Sequence, residues 1–555
     1  MNLFTNSRVK ICLGNLLANP HDGGASSHIK LARNLCLATL VSMCLAGCGP
    51  SRPVSPSRTA TQESLANSSR RETRAAPQLS EAELAESATN FCADCHAMPL
   101  ATSFPKRFWP REVQRGYDFY FASGRADLVV PQAIDMMRYF SDRAPEEIVL
   151  SKPEPLDVAA AARFVESQLS PPASSQAVAG ASLQYFDWGA PFGKQLMLTD
   201  MRGGSIYSCR YQDNQFSALE AVASLDYPCR LTQCALDDDG KQGLLVADLG
   251  SFLPADHRLG SVVWLRRTTA ETLDFASETI LAECGRVADV HAADLDADGD
   301  TDVVVADFGW HETGRLVWLE RIASGPATAA SFKTHVLDQR AGTVEVCLVD
   351  MNHDNRLDIV ALFAQEVESI KVFLNQGDST FDNGTVLYAA PDPAYGSSGL
   401  QIQDLDRDGD MDVVYTNGDS FDSFEVKPHH AVHWLENLGQ LKFVPHEIAR
   451  LPGVHRASAV DLDQDGDLDI VASSFLPQDL RAHFPEGSQR SAIVWLENDG
   501  MQNFRVRPLQ VDRCIHPALC VADFNADGKL DVAATNFYDD PHASPRPPVD
   551  VLLVK

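Results

Sequence analysis

The chain has 555 residues, of which 45% are hydrophobic, and its formal net charge at pH 7 is −30. This length predicts two or more structural units, and the hydrophobic content is that of a globular protein with an ample core. The negative charge argues against binding to a nucleic-acid backbone, which needs basic patches. Much of the charge lies in repeated acidic loops, where divalent cations would offset it.

The N-terminal part of the sequence has the pattern of an export signal. A short apolar segment follows Lys30 and Arg33 and ends in small residues, and it is shorter than the span of about 20 residues that crosses a membrane. Leu45-Ala46-Gly47-Cys48 resembles a bacterial lipobox, which implies cleavage before Cys48 and a diacylglycerol on its thiol. The alternatives are an uncleaved anchor or an ordinary signal with an unrelated cysteine. We therefore predict a signal region at 1–47 and a protein held outside the cytoplasm by a lipid anchor.

A tether and a small helical module follow the signal region. Residues 48–78 are rich in Ser, Pro, Arg and Thr and cannot bury a core, so we predict a flexible tether. Ser80 and Glu83 form a capping-box pattern that predicts an amphipathic helix from Leu79 to Phe91. The compact module that begins with this helix is expected to extend over residues 79–168.

The first helix leads into Cys92-Ala-Asp-Cys95-His96, which has the spacing of a c-type haem attachment site. Two thiols one helical turn apart add to the haem vinyl groups, and the adjacent histidine supplies a nitrogen to the iron. A disulfide hairpin or half of a zinc site are the alternatives. We predict covalent haem c on Cys92, Cys95 and His96.

The sixth iron ligand is open at this stage. No histidine lies between His96 and Gln168, so the candidates are Met98, Met136 and Met137. Met98 is very close to the attachment site, whereas Met136 and Met137 lie in a predicted helix, where methionine is more often a core residue. We favour Met136 or Met137. A methionine ligand would raise the potential and suit electron transfer, and an open position could bind a small molecule.

A nine-residue acidic loop recurs through the rest of the chain. It begins at Asp294, Asp350, Asp404, Asp461 and Asp523, at intervals of 54 to 62 residues. Acidic side chains at alternate positions, Gly at the sixth position and Asp at the ninth can surround one calcium ion with oxygen. A β-branched run follows the first loop and predicts a strand.

Each copy of the loop belongs to a repeat with the plan of a propeller blade. An apolar lead-in precedes the loop, a strand follows it, and after a variable connection comes a second strand with a motif such as Val317-Trp318-Leu319. A further strand usually follows. Four short strands in roughly 55 to 60 residues make one blade.

Seven blades are expected in residues 183–555. Residues 183–227 contain strand-like runs without an acidic loop, which gives a first blade without metal, and six loop-bearing copies follow. Residues 169–182 have the composition of a linker. The last copy ends on its third strand, and we expect the stretch near Leu183 to supply the missing fourth strand and close the ring. The predicted fold class is mainly β, a seven-bladed β-propeller preceded by a small all-α domain.

Two families share these features. Pro99, Phe108-Trp109-Pro110, Tyr139-Phe140 and Arg143-Ala-Pro-Glu-Glu, taken with the repeats, resemble bacterial proteins that join a cytochrome c-like domain to an FG-GAP/VCBS-repeat propeller. This resemblance covers about residues 79–555 and implies an architecture, but the family has no established reaction. The acidic loops also resemble those of integrin α-subunit propellers, where calcium lies between the first and second strands of a blade.

The integrin resemblance implies about five calcium sites and a ligand set for each. The side-chain ligands would be Asp294, Asp296, Asp298 and Asp302; Asp350, Asn352, Asp354 and Asp358; Asp404, Asp406, Asp408 and Asp412; Asp461, Asp463, Asp465 and Asp469; and Asp523, Asn525, Asp527 and Asp531. The seventh position would give a backbone carbonyl, which is why basic residues are tolerated among Asp300, Arg356, Asp410, Asp467 and Lys529. Asn355 replaces Gly in one loop and can adopt the same left-handed conformation.

A degenerate copy of the loop begins at Ala235. It keeps Asp237 and Asp239, but Ala235 and Gly243 have replaced the first and last carboxylates, so we expect this loop to bind no metal. The alternative for the whole set is that these loops are solvated acidic turns.

A second set of polar residues is expected on the opposite face of the disc, in the loops that join second to third strands. Such loops on a rigid scaffold often carry binding or catalytic residues. The candidates are Asp248, Asp307, Trp310, His311, Gln365, Glu366, Glu368, Asn417, Asp419, His429, His430, Asn536, Tyr538 and Asp539. His429 and His430, with Asp419 and His311, could hold a transition metal or transfer protons. Alternatively, each side chain caps a neighbouring backbone group or is solvated.

The remaining cysteines give little functional information. Cys234, Cys347 and Cys520 lie on predicted first strands and are expected to be buried small hydrophobic residues. A disulfide that includes Cys209 or Cys229 is an open alternative in an oxidising compartment.

Three functional classes compete. The first is an exported electron carrier whose propeller docks a partner or substrate. The second makes the propeller an oxidoreductase domain that passes substrate electrons to the haem, although the sequence has no Trp-Gly blade motif of the usual quinone-binding propellers. The third is a surface adhesion or carbohydrate-binding protein, which leaves the haem without a role.

Overall fold

The computed structural model describes residues 79–172, 176–269, 271–365, 367–421, 423–484, 487–540 and 542–555. The predicted signal region with Cys48, the predicted tether and Glu366 lie outside these residues. The described residues belong to one compact unit, Pro77–Lys555. In the part that is described, no helix combines the length and the apolar character needed to cross a bilayer.

Residues 79–161 form a helical module. Its helices are α1 (Glu81–Cys92), α2 (Trp109–Ala122), α3 (Ala133–Arg143) and the single turn α4 (Val158–Ala161), with a 3-10 turn at Ala101–Ser103. The predicted capping box is confirmed, because the Ser80 side chain accepts from the Glu83 N–H and the Glu83 carboxylate accepts from the Ser80 N–H. The core of the module is aromatic, with the Trp109 and Phe140 rings stacked at 4.2 Å between centroids.

The rest of the described chain forms seven four-stranded antiparallel sheets. Blades 1 to 3 consist of β2 (Gly180–Asp187), β3 (Lys194–Asp200), β4 (Ser205–Cys209) and β7 (Glu220–Ser224); β8 (Pro228–Cys234), β9 (Gly243–Asp248), β10 (Gly260–Arg267) and β11 (Phe275–Cys284); and β12 (Val287–Ala293), β13 (Asp302–Asp307), β14 (Arg315–Arg321) and β15 (Phe332–Asp338). The short strands β5 (Tyr211–Gln212) and β6 (Gln215–Phe216) form a ribbon beside blade 1, and a 3-10 turn at Ala329–Ser331 precedes β15.

Blades 4 to 7 follow the same plan. They consist of β16 (Thr343–Val349), β17 (Asp358–Phe363), β18 (Ser369–Phe373) and β21 (Thr385–Ala389); β22 (Gly399–Gln403), β23 (Asp412–Thr416), β24 (Ala431–Asn437) and β25 (Phe443–Arg450); β26 (Val454–Val460), β27 (Asp469–Ser474), β28 (Ser491–Asn498) and β29 (Phe504–Val511); and β30 (Leu519–Ala522), β31 (Asp531–Thr535), β32 (Val549–Val554) and β1 (Phe164–Gln168). A ribbon of β19 (Asn375–Gly377) and β20 (Thr380–Phe381) extends blade 4, and helix α5 (Gln478–Arg481) lies in blade 6.

The ring closes through a strand other than the expected one. The first strands of consecutive blades contact one another all the way round, which makes a closed seven-bladed propeller. The last blade takes its fourth strand from β1, which pairs antiparallel with β32 from Phe164↔Val554 to Gln168↔Asp550. The expectation that the stretch near Leu183 closes the ring is wrong, because Leu183 lies in the first strand of blade 1. The closing strand therefore comes from the end of the segment assigned to the helical module.

The repeated aromatic motif holds neighbouring blades together. Each motif lies on the third strand of its blade, and its ring is buried at Trp264, Trp318, Phe373, Trp434 and Trp495. The Trp318 ring, for example, contacts the ring of Phe381 in the next blade at 5.4 Å between centroids. Burying one such side chain contributes about 1.5–3 kcal/mol, so the motif is a main source of cohesion between blades.

The helical module packs against the disc on the face that carries the loops between second and third strands. The buried Asp392 carboxylate, between blades 4 and 5, accepts hydrogen bonds from the Leu100 N–H at 3.2 Å and from the Ser103 hydroxyl. The Lys427 Nζ lies 3.6 Å from the centroid of the Phe104 ring. We call this the module face of the disc.

Candidate functional site

The five acidic loops occupy equivalent places in blades 3 to 7. Each connects the first strand of its blade to the second, as the sequence predicts, and the ninth residue of each loop begins the second strand. Because these connections all lie at the same end of their blades, the loops lie on one face of the disc, opposite the module face. We call this the acidic face.

The backbone of the loops repeats closely. The fourth residue has a left-handed φ between 60° and 63° in every loop, and the sixth residue, Gly or Asn355, has a positive φ as well. In blade 3 this turn lets the first carboxylate, of Asp294, accept from the Gly299 N–H at 3.1 Å. Asn355 makes the same bond to Asp350 at 2.8 Å. The substitution of Gly by Asn is therefore accommodated, as expected from the left-handed preference of Asn.

The ninth residue ties the loop to the third strand. One oxygen of Asp469 accepts from the Leu462 N–H inside the loop, and the other accepts from the Asn498 N–H at the end of β28. Asp302, Asp358, Asp412 and Asp531 make the same pair of bonds in their blades. All five are buried. Burial raises the pKa of Asp469 to about 7. The closing carboxylate thus has a structural role in addition to the predicted ligand role.

Three loops bring carboxylates close enough together to hold a cation. These groups are Asp294, Asp296 and Asp298; Asp404, Asp406 and Asp412; and Asp461, Asp463 and Asp465. Within each group the candidate oxygens lie within 4.8 Å of one another. Oδ1 atoms of Asp404, Asp461 and Asp463 are buried without a hydrogen-bond partner. Buried, unpartnered carboxylate oxygens that converge fit a calcium ion, which takes only oxygen ligands.

Blades 4 and 7 have an amide at the third loop position. The Asn352 Nδ2 donates to the Asp354 carboxylate at 3.1 Å, and the Asn525 Nδ2 donates to the Asp527 carboxylate at the same distance. The amide oxygens of both side chains accept from the backbone N–H two residues on. The predicted ligands in these blades are therefore held near one another by bonds within the loop.

The degenerate loop of blade 2 is occupied by protein groups. The Arg321 guanidinium, from the end of the third strand of blade 3, donates to Asp238 at 2.8 Å, and its side chain is only 1% exposed. Asp237 accepts from the Ala327 N–H at 2.6 Å. At the ninth position, a Cβ on Gly243 would lie 2.4 Å from the Trp264 ring, so an aspartate has no room there. These contacts supply positive charge and N–H donors in the place where a cation would bind.

An ionic network in the central channel was not found from the sequence. The third residues of the first strands in blades 2, 3, 4 and 6 are Arg230, Asp289, Glu345 and Arg456. Glu345 bridges Arg230 at 3.1 Å and Arg456 at 3.0 Å. Burial acts to raise the pKa of Asp289, but the charges of His291 and Arg230 hold it below its usual value. The sequence feature that could have revealed this network is a charged residue at the third position of the first strand, which occurs in blades 2, 3, 4 and 6.

The polar residues predicted on the module face are mostly tied to the backbone. Glu368 accepts from the Gly396 and Ser397 N–H groups at 3.0 Å, and Asn417 donates to the His429 carbonyl at the same distance. Asp248 accepts from the Tyr227 N–H at 3.0 Å. The capping alternative is thus confirmed for these residues.

The histidines of the module face do not assemble a metal site. His429 stacks on the Tyr395 ring at 4.6 Å, whereas His311 packs on the Phe119 ring of α2 at 4.9 Å. Burial lowers the pKa of His429 to about 4. Among the described residues, the groups that could hold a metal consist of aspartates alone. The described residues therefore give no support to a transition-metal site at these histidines.

A polar cavity of about 520 Å³ lies on the module face between blades 6 and 7. Two arginines of this cavity are paired with carboxylates, because Arg481 binds Asp539 at 3.2 Å and Arg513 binds Asp550 at 2.9 Å. Tyr538 donates its hydroxyl hydrogen to the Pro547 carbonyl at 3.0 Å.

The predicted haem-binding residues lie at the C-terminal end of α1. Cys92 is the last residue of the helix, and its thiol and that of Cys95 are not joined in a disulfide. Burial raises the pKa of Cys92 to about 11. The Arg125 guanidinium lies 3.1 Å from the Cys95 Sγ, and the His96 Nδ1 lies 2.8 Å from the Ala97 carbonyl. The disulfide-hairpin alternative for the two thiols is therefore not supported.

The two methionine candidates occupy different environments on α3. Met136 is fully buried in the core of the module, and Met137 is only partly buried. Neither observation decides the sixth ligand, which stays a prediction.

An exposed apolar surface lies beside the thiols. Phe121, Val129 and Ile134 are 61%, 93% and 65% exposed. They flank the loop of Arg125, which contacts Cys95, and the Leu128 N–H of that loop donates to the Tyr120 hydroxyl. The Tyr120 ring in turn packs on Phe91, next to Cys92.

The other cysteines are thiols as well. Cys209 and Cys229, the two candidates for a disulfide, are buried and unlinked. Cys234 is buried as expected, and Cys347 and Cys520 are partly buried on the first strands of blades 4 and 7.

Comparison with known families defines the class of this propeller. The FG-GAP-like repeat family matches residues 236–305 and 350–415, which lie in blades 2 to 3 and 4 to 5. The chain therefore contains FG-GAP repeats, folded as a seven-bladed β-propeller. No curated protein matches the sequence.

The comparison with solved structures gives matches at low sequence identity and low TM-score. Two crystal structures of BBS1N in complex with ARL6DN, soaked with mercury and with lead, are 11% identical, with TM-scores of 0.42 and 0.40. They cover 71% and 73% of this chain and 97% and 98% of those chains. The crystal structure of rhamnogalacturonan lyase YesW is 12% identical with a TM-score of 0.39, and it covers 71% of this chain and 76% of that chain.

Proposed function

We propose that this protein is an exported, lipid-anchored c-type haem protein that transfers electrons. Its calcium-stabilised propeller is the platform that docks a redox partner or a small-molecule substrate. The observation that carries the proposal is the haem motif Cys92-Ala-Asp-Cys95-His96 at the end of α1, near exposed apolar side chains of the helical module. Cys92 and Cys95 would hold the porphyrin by thioether bonds and His96 would bind its iron, which supplies one-electron chemistry.

The haem assignment is tested by expression with a c-type haem maturation system. The full chain is expected to carry one covalent haem, seen as an added mass and as a reduced-minus-oxidised haem spectrum after denaturation. Replacing Cys92 and Cys95 by Ala should abolish both signals. The control variant Cys520→Ala removes a thiol on a propeller strand and should keep the haem. Covalent haem in the double variant would overturn the assignment.

The calcium assignment is supported by the converging carboxylates of blades 3, 5 and 6 and by the unpartnered oxygens in two of these loops. Calcium titration of chelator-treated protein by calorimetry is expected to give about five sites, one for each acidic loop of blades 3 to 7. A chain that binds no calcium would remove both the metal sites and the role of the ion in stability.

A second candidate function is supported by a cleft between the module and the disc. The cleft has a volume of about 430 Å³ and is lined by Arg111, Gln114, Arg115 and Asp118 of α2 together with Ser423 and Phe424 of blade 5. These α2 residues lie on the side of the helix opposite Tyr117 and Tyr120, which pack on Phe91. Pockets at domain boundaries are common substrate sites. In this alternative the protein is an oxidoreductase whose bound substrate reduces the haem across α2.

A substrate screen separates the two functions. Oxidised haem protein is mixed with candidate reductants, and haem reduction is followed by absorbance. Direct reduction by a small molecule, weakened by Arg115→Ala, would favour the oxidoreductase. Arg505→Ala, on the outer strand of blade 6, is the control. If only another redox protein reduces the haem, the electron-carrier function stands.

The proposed location depends on the first residues of the chain. A lipid on Cys48 would hold the protein on the outer side of the cytoplasmic membrane or at the cell surface. Fractionation with a Cys48→Ser variant tests this, because loss of the thiol should release the protein from the membrane fraction. A variant that stays with the membrane would contradict the lipid anchor.

A further inference from the structure

The acidic loops contact one another in a directed series. His353, the fourth residue of the blade 4 loop, places its Nε2 2.9 Å from the Asp410 carboxylate of the blade 5 loop. Arg407, at the same position in blade 5, donates to the Gly466 carbonyl in blade 6. Gln464 of blade 6 donates to the Gly528 carbonyl in blade 7 at 2.5 Å. In each case the fourth residue of one loop contacts the sixth or seventh residue of the next.

The series has defined ends. The fourth residue of the blade 3 loop is Ala297 and that of the blade 7 loop is Ala526, and a methyl group cannot make such a bond. Blade 1, which follows blade 7 around the ring, has no acidic loop. The side chains that bridge neighbouring loops are therefore found where both loops carry a full set of predicted ligands.

Two of the three bridges, those of Arg407 and Gln464, act on the peptide that orients a predicted ligand. In blade 6, the peptide between Gly466 and Asp467 is held at both ends, because its carbonyl accepts from Arg407 and its N–H donates to Asp465 at 3.2 Å. In blade 7, the peptide after Gly528 accepts from Gln464, and its N–H, on Lys529, donates to Asp527 at 2.9 Å. The side chain from the preceding loop thus fixes the peptide to which the fifth-position carboxylate is hydrogen-bonded.

We propose that His353, Arg407 and Gln464 couple the calcium sites of blades 4 to 7, so that these sites fill cooperatively. This inference rests on the proposed calcium sites. An ion bound in blade 5 orders the loop that carries Arg407, and the ordered Arg407 reduces the conformational freedom that the blade 6 loop must lose when it binds its own ion. Such a shared ordering cost gives positive coupling without a change of fold. By linkage, calcium in blade 6 must strengthen binding in blade 5 by the same factor.

The test is a calcium titration of chelator-treated full-length protein, followed loop by loop through hydrogen exchange. Wild-type protein is expected to show a Hill coefficient above one in calorimetry. In Arg407→Ala, the calcium concentration that half-protects residues 461–469 should rise by about five-fold or more, which is the usual lower range of such coupling. Gln464→Ala should do the same for residues 523–531. Gln376→Ala is the control, because its side chain bonds only to Leu374 within its own turn.

A double-mutant cycle checks that the effect passes through the bridge. Asp406→Asn, which weakens the blade 5 site, should also weaken calcium binding by residues 461–469 in the wild-type background. It should have no further effect on them in the Arg407→Ala background. A Hill coefficient of one in the wild-type protein, or unchanged protection in Arg407→Ala, would overturn the coupling while leaving the calcium sites in place. Absence of calcium binding altogether would instead overturn the sites on which the coupling depends.

Discussion

Blades 2 and 6 solve the same electrostatic problem in different ways. In blade 6, Asp461, Asp463 and Asp465 converge, and buried oxygens of two of them lack a partner. In blade 2, the corresponding loop has lost two carboxylates, and Arg321 from the neighbouring blade binds Asp238. The blade 6 loop leaves its negative charge for a cation from solution. The blade 2 loop is faced by protein groups instead, because Arg321 binds Asp238, and Asp237 accepts from the Ala327 N–H and lies 3.5 Å from Arg266.

The difference shows that the negative charge of an acidic loop must be balanced by a cation or by groups of the protein. A carboxylate removed from water costs free energy unless a positive group or several N–H donors face it. Where the chain supplies an arginine, the loop can lose ligands without harm. Where it supplies none, the stability of the blade depends on the ion. The presence of an acidic loop in a blade is therefore not enough to show that the loop binds calcium.

Removal of calcium should have the largest effect and should separate the two loops. Each filled site contributes about 2.7 kcal/mol when the free ion is at 100 times its dissociation constant, so a chelator should lower the melting temperature sharply. Hydrogen exchange should show lost protection in residues 461–469 and unchanged protection in residues 235–243. An unchanged melt would contradict the metal assignment.

Matched substitutions at the fifth loop position should reproduce this contrast one site at a time. Asp465→Asn in blade 6 removes a predicted ligand. When calcium is present, it should lower the free energy of unfolding by about 2.7 kcal/mol, which is the contribution of one site. Asp239→Asn in blade 2 removes only an exposed pair with Lys241, 2.9 Å away, and should cost less than about 1 kcal/mol. Chemical denaturation with and without chelator measures both values. Equal effects of the two variants would show that the loops are equivalent.

Replacing Arg321 by Met should break the internal compensation of blade 2. The variant loses the charged hydrogen bonds to Asp238 and to the Gly325 carbonyl. The free energy of unfolding should fall by about 2 kcal/mol as a result. Because no ion is involved, the loss should be the same with and without chelator. Arg505→Ala, an exposed residue on the outer strand of blade 6, is the control and should change stability little. A cost that vanishes in excess calcium would mean that blade 2 can bind the ion.

Mild acid should reveal a third way to bury polar groups, in which the group stays neutral. Burial lowers the pKa of His433 to about 4, so the folded state resists protonation that the unfolded chain accepts near pH 6.5. The stability from this histidine is present above pH 6.5 and is lost as the pH falls toward 4, by about 1.4 kcal/mol per pH unit. His433→Gln should flatten the pH dependence measured in saturating calcium. If the slope of unfolding free energy against pH is the same in the variant, the acid sensitivity comes from other groups.

Much of the disc could be predicted because its information is local and repeated. The acidic loops, their place between first and second strands, and a first blade without an acidic loop all follow from residue spacing within about 60 residues. The capping box at Ser80 is equally local. The closing strand could not be predicted, because β1 pairs with β32 across almost the whole length of the propeller, and its five residues, Phe-Val-Glu-Ser-Gln, have no strong strand pattern.

The candidate site likewise has features that depend on local sequence and features that depend on tertiary contacts. Sequence alone determined which residues can act as ligands, since calcium and haem each require particular atoms at a fixed short spacing, as in Asp461 to Asp469 and Cys92 to His96. Only the tertiary structure decided which charges are already compensated, because Arg321 reaches Asp238 from a different blade. It also decided that Arg407 and Gln464 join one loop to the next and that Phe119 of the helical module contacts the His311 ring. These contacts are made between residues far apart in the chain, and packing brings them together.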